Sequence, residues 1–280
     1  MKKSSTKPNP EISIVVLNYN TGDIFKKCVQ SILATTKNLT WPNSELILID
    51  NASIDDSFSF PKNSRIHTIQ NNENLGFSKG YNQGIITAKG EYVLMLNPDT
   101  VVKPGSIQKL LDFAKSAPEA AVVAPRLLNP DGSTQPSAFK LPTLWNAIRE
   151  YWFGEKEIFS KYTPKSGPVE SVVMAAYLLT PRALKEVGLI NEKFFIYFED
   201  LDYARRIREA GHKIYYLPDA EVIHYHGISG KDITDVENQW RRLIPSSKIY
   251  HGTLMHYLIN FVLWSGQKWQ FIRMSLRGTK

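Results

Sequence analysis

The stretch that decides the fold is Tyr92-Val-Leu-Met-Leu-Asn97-Pro-Asp99-Thr100. A run of apolar residues, typical of a buried strand, ends in a carboxylate one residue after a proline. Strands of open α/β sheets expose ligand-binding groups at their carboxyl ends, and a carboxylate oxygen there suits a divalent metal. Asn-Pro-Asp is also ordinary turn chemistry. By itself the stretch therefore leaves both a metal site and a simple turn open.

On either side of this stretch, short apolar runs alternate with helical periodicity. Strands are predicted over residues 12–17, 46–49, 65–69, 92–96 and 121–124, and helices over residues 23–33, 78–88 and 104–117. Both assignments rest on the spacing of apolar residues and on the turn residues between them. The alternation predicts an α/β fold, with a mainly parallel sheet flanked by helices on both faces.

The second half of the chain is less regular. Residues 125–168 contain six prolines and scattered aromatic residues, which indicates an irregular excursion rather than a second domain. Regular structure is predicted to resume over residues 171–179, with a helix from Pro181, a helix over 199–210 and strands over 213–217 and 221–226. The last forty or so residues are predicted to be helical.

Composition supports either one large domain or one domain with an appendage. A chain of 280 residues with 42% hydrophobic content can bury a full core. Residues 1–10 are polar and lack the apolar region of a signal peptide, so a disordered N-terminus is expected. The single cysteine, Cys28, shares helical spacing with Phe25 and Ile32. It is expected to be a buried packing residue in a protein of a reducing compartment.

The formal net charge of +7 comes from the C-terminal end of the chain. Residues 238–280 contain seven basic residues and no acidic residue, whereas the remainder is neutral. A basic, aromatic-rich end favours an anionic membrane surface over nucleic acid. Residues 254–264 are strongly apolar but shorter than the ~20 residues that a spanning helix needs, which predicts an interfacial helix. A helix docked on the protein's own core explains the pattern equally well.

Two loops after predicted strands carry groups that suit a nucleotide. The carboxylate of Asp50 could accept a hydrogen bond from a nucleobase imide or contact a ribose hydroxyl; a capped turn over residues 50–53 is the alternative. Residues 74–82 offer glycines and Lys79 at a helix start, which suits a phosphate. An ordinary helix entry is the alternative there. Neither the dinucleotide fingerprint nor the P-loop spacing is present.

Two further segments carry titratable groups. In Phe194-Phe-Ile-Tyr-Phe-Glu199-Asp200-Leu-Asp202, three carboxylates follow an apolar run. Apolar walls raise the proton affinity of a carboxylate, as a general base requires, although acids at a helix start also complement the helix dipole. In His224-Tyr-His226, alternation places both imidazoles on one side of a strand. Either histidine could bind a metal, or both could be surface residues.

Taken in order, six motifs resemble family 2 glycosyltransferases of the GT-A fold, most closely their bacterial rhamnosyltransferase-like branch. The motifs are Val15-Val-Leu-Asn-Tyr19-Asn20, Asp50-Asn-Ala-Ser, Asn74-Leu-Gly76-Phe, Leu96-Asn-Pro-Asp99, Phe198-Glu-Asp200-Leu-Asp202 and His224-x-x-Gly227. The likeness covers roughly residues 11–230. It implies a GT-A domain over residues 11–235. Residues 236–280 lie outside the likeness, and their composition predicts a basic, aromatic, helical C-terminal extension.

The resemblance implies an inverting displacement at the anomeric carbon of a nucleotide-diphosphate sugar. Asp99 becomes the main metal carboxylate, and His224 completes a site for Mn²⁺ or Mg²⁺, with His226 as a close competitor. Asp200 matches the catalytic base. The residues matched to the nucleotide, the diphosphate and their surroundings are Tyr19, Asn20, Asp50, Asn51, Asn74, Gly76, Lys79 and Asn97. Asn97 replaces the first Asp of the D-x-D motif.

The resemblance also implies partners. The donor is expected to be dTDP-L-rhamnose, with a UDP-hexose as the alternative, and the acceptor a saccharide such as one linked to polyprenyl diphosphate, in cell-surface polysaccharide synthesis. Met174 stands where many relatives have a glycine, which leaves the acceptor open. A cytoplasmic protein, peripheral on the inner face of the membrane through its C-terminal tail, is expected. A non-catalytic nucleotide-sugar-binding protein is the competing class; a nucleotidyltransferase is disfavoured because the loop after the first strand has no basic residue.

Overall fold

The computed structural model describes residues 9–37, 44–58, 66–225 and 236–277. Eleven strands are present in these ranges: β1 Ile12–Asn18, β2 Ser44–Asp50, β3 Ile66–Gln70, β4 Tyr92–Leu96, β5 Thr100–Val102, β6 Ala120–Leu128, β7 Ala138–Phe139, β8 Gly167–Val169, β9 Ser171–Val172, β10 Ala176–Leu179 and β11 Lys213–His224. Seven α-helices accompany them: α1 Asp23–Lys37, α2 Gly76–Thr87, α3 Ser106–Ser116, α4 Leu144–Tyr151, α5 Glu199–Glu209, α6 Val236–His251 and α7 Thr253–Arg277.

The main sheet of the described residues has nine strands. Its order is β3-β2-β1-β4-β10-β6-β11-β5, and β8 pairs with β11 outside this path. Strands β1 to β4 are mutually parallel, β10 runs antiparallel between β4 and β6, and β11 is parallel to β6. The carboxyl ends of β1, β2, β4, β6 and β11 therefore lie along one edge. The sequence-based prediction of a mainly parallel sheet is confirmed.

Helices cover both faces of this sheet, as predicted. On one face, α1 and α3 contribute buried residues such as Phe25 and Leu111 to one cluster with residues of the sheet, and α3 packs on β6 and β11. On the other face, α2 and α5 contribute Tyr81 and Tyr203 to a second cluster. Because consecutive strand residues point to opposite faces, the buried strands are apolar on both sides. Cys28 is fully buried in the first cluster, which confirms the packing role expected of it.

Several elements differ from the sequence-based prediction. The irregular excursion over residues 125–168 contains the end of β6, the short strands β7 and β8, and helix α4. The segment 171–179 is two strands, because β9 pairs with β7 and β10 with the main sheet. The two strands predicted over 213–217 and 221–226 are one strand, β11, with a register shift between Leu217 and Glu221. A helix does begin at Pro181 as predicted, but it is short and is a π-helix over Ala183–Val187.

Strand β5 was not predicted at all, and it matters most for the site. It pairs antiparallel with β11 at the edge of the sheet, with Thr100 opposite His224. Some predictions fall outside the described residues: the disorder of residues 1–8, the start of the third strand at Arg65, and His226.

The C-terminal helices pack on the domain. Helix α7 contacts α4 through a small cluster that includes Ala147, Ile259 and Val262. Gly266 allows the close approach of the two helices, because an added Cβ would lie 2.5 Å from Cβ of Tyr151. Across the helices described here, none combines the length and the hydropathy needed to cross a membrane.

Candidate active site

The pairing of β5 with β11 brings Asp99 and His224 together. Asp99 lies immediately before β5, and the N–H of Tyr225 donates to its backbone carbonyl at 2.9 Å. As a result, Nε2 of His224 lies 3.5 Å from Oδ1 of Asp99, and both side chains are almost fully buried. The metal pair expected from the resemblance is thus one contiguous group, although the two residues are far apart in the chain.

Gln135 fixes the orientation of the His224 ring. Its Oε1 lies 2.7 Å from Nδ1 of His224, and its amide nitrogen donates to Oδ1 of Asn129 at 3.0 Å. Because the amide oxygen can only accept, Nδ1 of the ring carries a proton, and Nε2 is the ring nitrogen that faces Asp99. Metal-binding histidines are commonly oriented in this way by a second hydrogen bond. No sequence motif indicates this role for Gln135.

The donor set of this pair suits a divalent cation. Carboxylate oxygens are typical ligands of Mn²⁺ and Mg²⁺, and an imidazole nitrogen beside the carboxylate favours Mn²⁺ of the two. No group of three or more His, Cys, Asp or Glu side chains with metal-binding geometry occurs among the described residues. A cation held here would therefore keep open positions for ligand oxygens, as cations that bind phosphates do.

The Asn97-Pro-Asp99 connection is firmly held. The N–H of Asn97 donates to the carbonyl of Ala175 at 2.8 Å, and the hydroxyl of Thr100 donates to the carbonyl of Asn97 at 2.7 Å. The buried hydroxyl of Tyr81 donates to the carbonyl of Leu96 at 2.7 Å.

Burial raises the pKa of the Cys28 thiol, which lies behind this loop, to about 12. Cys28 is therefore protonated and is not a nucleophile.

The loops after β1 and β2 form a closed network around Asp50. Oδ1 of Asp50 accepts from the hydroxyl of Ser53 at 2.5 Å and from Nδ2 of Asn18 at 3.2 Å. Asn20 has a positive φ of 51° and its side-chain oxygen accepts from the N–H of Ile54 at 2.8 Å. The capped turn that was the alternative reading of residues 50–53 is present. Asp50, Tyr19 and Asn20 lie at the carboxyl edge, and their contacts with a nucleotide stay a prediction.

Asn51 links this network to the loop that opens α2. Its Nδ2 lies 3.2 Å from Oδ1 of Asn74 and 3.1 Å from the carbonyl of Gly76, while its Oδ1 accepts from Nδ2 of Asn71 at 2.8 Å. The N–H of Gly76 donates to Oδ1 of Asn74 at 2.9 Å. Lys79 is exposed one turn into α2, where it is available to an anion.

The loop that opens α2 also contacts the segment that carries Asp200. The N–H of Phe77 donates to the carbonyl of Phe195 at 2.7 Å. Gly76 has a φ of +82°, and a Cβ added there would lie 2.6 Å from both the carbonyl oxygen and the ring of Phe195. Only glycine combines this backbone conformation with so close an approach. The expected nucleotide loop and the expected base are therefore joined by direct backbone contact.

Asp200 lies in the first turn of α5 and is only partly exposed. Burial raises its pKa to about 6, against the opposing effects of the Leu201 N–H, 2.8 Å from Oδ1, and the nearby charge of Lys161. Burial and the charge of Asp200 also raise the pKa of Glu199, whose Oε2 has no hydrogen-bond partner among the described residues. Both carboxyl groups therefore bind a proton more tightly than an ordinary acid, and Asp200, the partly exposed one, is placed to act as a general base.

The backbone before Asp200 is strained. Tyr197 and Phe198 are consecutive non-glycine residues with φ of 69°. Such conformations cost ~1–3 kcal/mol each and concentrate at functional sites, where the surroundings hold them.

The third carboxylate, Asp202, is almost fully buried and is paired with Arg205 at 3.0 Å and Arg206 at 3.1 Å. It stabilises α5.

Met174, the departure from the resembled family, is 3% exposed and packs in the second core cluster. Its side chain is therefore part of the core and is not presented to solvent.

This fold is that of the GT-A glycosyltransferases. A crystal structure of TarS from S. aureus, residues 1–349, matches 90% of this chain and 69% of that chain with a TM-score of 0.56 at 16% identity. A crystal structure of GalNAc-T7 with UDP, GalNAc and Mn²⁺ matches 78% of this chain and 44% of that chain with a TM-score of 0.59, also at 16% identity. At these identities the likeness concerns the fold.

The chain belongs to glycosyl transferase family 2, whose family model matches residues 13–179. It is similar to the N-acetylglucosaminyl-diphospho-decaprenol L-rhamnosyltransferase of Mycobacterium tuberculosis, with 29% identity over 79% of this chain and 78% of the relative. It is also similar to the low-salt glycan biosynthesis hexosyltransferase Agl10 of Haloferax volcanii, with 24% identity over 94% of this chain and 84% of the relative. The predicted family and its rhamnosyltransferase-like branch are confirmed. The region matched by the family model ends at residue 179, so Asp200 and His224 lie beyond it.

Proposed function

We propose that this transferase moves L-rhamnose from dTDP-L-rhamnose to a saccharide acceptor linked to a polyprenyl diphosphate, with inversion at the anomeric carbon. The observation that carries the proposal is the buried pair of Asp99 and His224, 3.5 Å apart at the carboxyl edge of a GT-A sheet. This pair is suited to a cation that contacts a diphosphate.

The identity of the sugar and of the acceptor rests on similarity. The relative from M. tuberculosis is named as a rhamnosyltransferase that acts on a diphospho-decaprenol-linked sugar. The relative from H. volcanii is named only as a hexosyltransferase. A UDP-hexose is therefore the alternative donor, and a donor screen separates the two.

Asp99 and His224 would hold Mn²⁺ or Mg²⁺. When bound, the cation would neutralise charge on the diphosphate leaving group. The nucleotide would lie along the loops of Asp50, Asn51 and Gly76, with Lys79 available to the phosphates. Gln135 holds Nδ1 of His224 in a hydrogen bond and so orients the ring with Nε2, the prospective ligand atom, toward Asp99.

Asp200 would act as the base in a single displacement. The acceptor oxygen attacks the anomeric carbon from the side opposite the leaving group, so the configuration at that carbon inverts. The bond between the anomeric carbon and the diphosphate oxygen breaks, and the nucleoside diphosphate leaves with the electron pair. The acceptor proton passes to the carboxylate of Asp200, which the raised pKa makes a stronger base than an ordinary aspartate.

A lipid-linked acceptor requires the site to meet a membrane, and the outer surface of α4 and α7 suits one. Most of the exposed described positions of α7 are apolar or aromatic. We define the aromatic face as Trp145, Phe153, Phe261, Trp264, Trp269 and Phe271, which are all exposed. Trp and Phe on an amphipathic helix are typical of the bilayer interface.

Charge favours an anionic bilayer over a second copy of the chain. Residues 238–280 contain no acidic residue, and Lys268 is exposed beside the aromatic face. A two-fold dimer through this face would bring identical basic residues close together, whereas anionic lipid headgroups attract them. Peripheral contact through the C-terminal helices, on the cytoplasmic side where nucleotide sugars are made, is therefore the proposed location.

The first test is a screen of nucleotide sugars by thermal shift and nucleotide release, with Mn²⁺, with Mg²⁺ and with a chelator. We expect dTDP-L-rhamnose with metal to stabilise the wild-type protein, and Asp99→Ala to abolish the shift. Asp112→Asn, an exposed carboxylate on α3, is the matched control. If a UDP-hexose stabilised the protein and dTDP-L-rhamnose did not, the UDP-hexose would be the donor. Binding without release or transfer to any acceptor would support the non-catalytic alternative.

The second test is sedimentation with vesicles. We expect binding to vesicles that contain phosphatidylglycerol, weaker binding to phosphatidylcholine alone, and loss of binding in Phe261→Ala/Trp264→Ala. Ile86→Ala, an exposed apolar residue on α2, is the control. If the wild type and the double variant sedimented with the vesicles to the same extent, membrane contact through the aromatic face would be refuted. A dimer that the double variant dissociates would assign the face to a second copy.

A further inference from the structure

We propose that α6, which lies outside the region matched by the family model, is a positioning helix that holds the strained turn in front of Asp200. The turn is defined as residues 195–198. This inference rests on the proposed role of Asp200 as the base, and it assigns a role in that reaction to Ser246 and Tyr250, two residues outside the region matched by the family model.

The turn needs external support. Tyr197 and Phe198 both have φ of 69°, a region that non-glycine residues rarely occupy. No side chain caps the start of α5 at Phe198. A segment of this kind keeps its conformation only where neighbouring structure imposes it, so the contacts of the turn decide where Asp200 points.

Helix α6 supplies contacts on one side of the turn. The buried hydroxyl of Ser246 donates to the carbonyl of Ile196 at 2.8 Å. The ring of Phe198 packs against the rings of Tyr250 and His251, with centroids 5.5 and 5.7 Å away. Hydrogen bond and ring contacts thus hold two successive parts of the turn, immediately before Glu199 and Asp200.

The loop that opens α2 holds the other side. The N–H of Phe77 donates to the carbonyl of Phe195, and Gly76 lies against the Phe195 ring. The turn therefore lies between the expected nucleotide loop and α6. If the loop that opens α2 or helix α6 were displaced, Asp200 would move, although every reacting group would still be present.

Tyr250 is the central residue of this support. Its ring also lies under the guanidinium of Arg205, 4.7 Å from the ring centroid, and Arg205 pairs with Asp202 on α5. Burial, with the charges of Asp202, Asp200 and Glu209, raises the pKa of Tyr250 to about 12. Its hydroxyl stays protonated and is not itself a base, so Tyr250 acts through its ring.

Simple docking of the C-terminal helices would not need these contacts. Helix α7 already anchors the extension to α4 through the cluster of Ala147, Ile259 and Val262. A helix that served only to anchor the extension could pack against any part of the domain surface. The contacts of α6 instead converge on the strained residues adjacent to the base, which is the arrangement a positioning role requires.

The test compares Tyr250→Ala, Tyr250→Phe and Ser246→Ala with Tyr257→Ala, a matched truncation of an exposed tyrosine on α7. Transfer from dTDP-L-rhamnose to a short-chain polyprenyl-diphosphate-N-acetylglucosamine is measured with Mn²⁺. We expect kcat to fall ~10–100-fold in Tyr250→Ala with an unchanged KM for the donor, because misplacement of a reacting group by ~1 Å costs about that much. Tyr250→Phe, which keeps the ring, and Tyr257→Ala should be close to wild type.

Hydrogen–deuterium exchange of residues 195–202 provides a readout that needs no activity. We expect faster exchange of these amides in Tyr250→Ala and Ser246→Ala, and no change in Tyr257→Ala. Turnover of Tyr250→Ala at the wild-type rate, or unchanged exchange in both α6 variants, would overturn the positioning role. An inactive wild type whose turn still exchanges faster in Tyr250→Ala would refute the proposed function alone.

Discussion

Gly76→Ala tests the contact between the loop that opens α2 and the turn before Asp200. Two costs add at this position. An alanine at φ of +82° is strained by ~1–2 kcal/mol, and its Cβ would lie 2.6 Å from the carbonyl oxygen of Phe195, an overlap that costs ~1–3 kcal/mol to relieve. We expect the free energy of unfolding, measured by urea titration, to fall by ~2–5 kcal/mol.

Gly132→Ala is the matched control for this substitution. Gly132 has a φ of +85°, but an added Cβ would meet no atom within 4 Å. It should cost only the backbone strain of ~1–2 kcal/mol and leave transfer unchanged. Gly76→Ala should in addition slow transfer, because relief of the overlap moves Phe195. Equal losses of stability in the two variants, with equal activity, would show that the close approach of Gly76 to Phe195 has no consequence.

Three other outcomes follow from the site. Asp200→Asn should lower kcat by ~10²–10⁴-fold with donor binding intact in calorimetry; wild-type turnover would remove Asp200 from the mechanism. Gln135→Leu should weaken Mn²⁺ binding ~10–100-fold in calorimetry, and wild-type affinity would exclude the orienting role. Because Asp200 with its pKa of about 6 acts only when deprotonated, kcat should fall as the pH drops through about 6; a rate that stays flat to pH 4.5 would contradict the assignment.

The parts of the fold that could be predicted are those with local signatures. The strand over residues 92–96 is visible because five apolar residues end at an Asn-Pro-Asp turn, and the packing role of Cys28 is visible from helical spacing. Strand β5 could not be predicted. Its three residues are too few to show a period, and it exists because β11 offers a free edge.

In the site too, residues in short local motifs could be predicted, whereas residues that act through long-range contacts could not. Asp99, Asp200 and His224 could be proposed from the sequence because short motifs carry them, and their roles stay predictions. Gln135 was missed, because its role depends on a hydrogen bond to a residue 89 positions away. The support of the turn by Ser246 and Tyr250 was also missed, since basic and aromatic composition predicts a surface helix but not what the helix touches.

The most direct test of the central claim is the product formed by the wild-type protein from dTDP-L-rhamnose and a short-chain polyprenyl-diphosphate-N-acetylglucosamine. The anomeric configuration of the new bond is read by NMR, with Mn²⁺ and with a chelator. We expect a metal-dependent product of inverted configuration, absent in His224→Ala and retained in His67→Ala, a control at an exposed histidine on β3. A product of retained configuration, or full activity of His224→Ala in the presence of chelator, would contradict it.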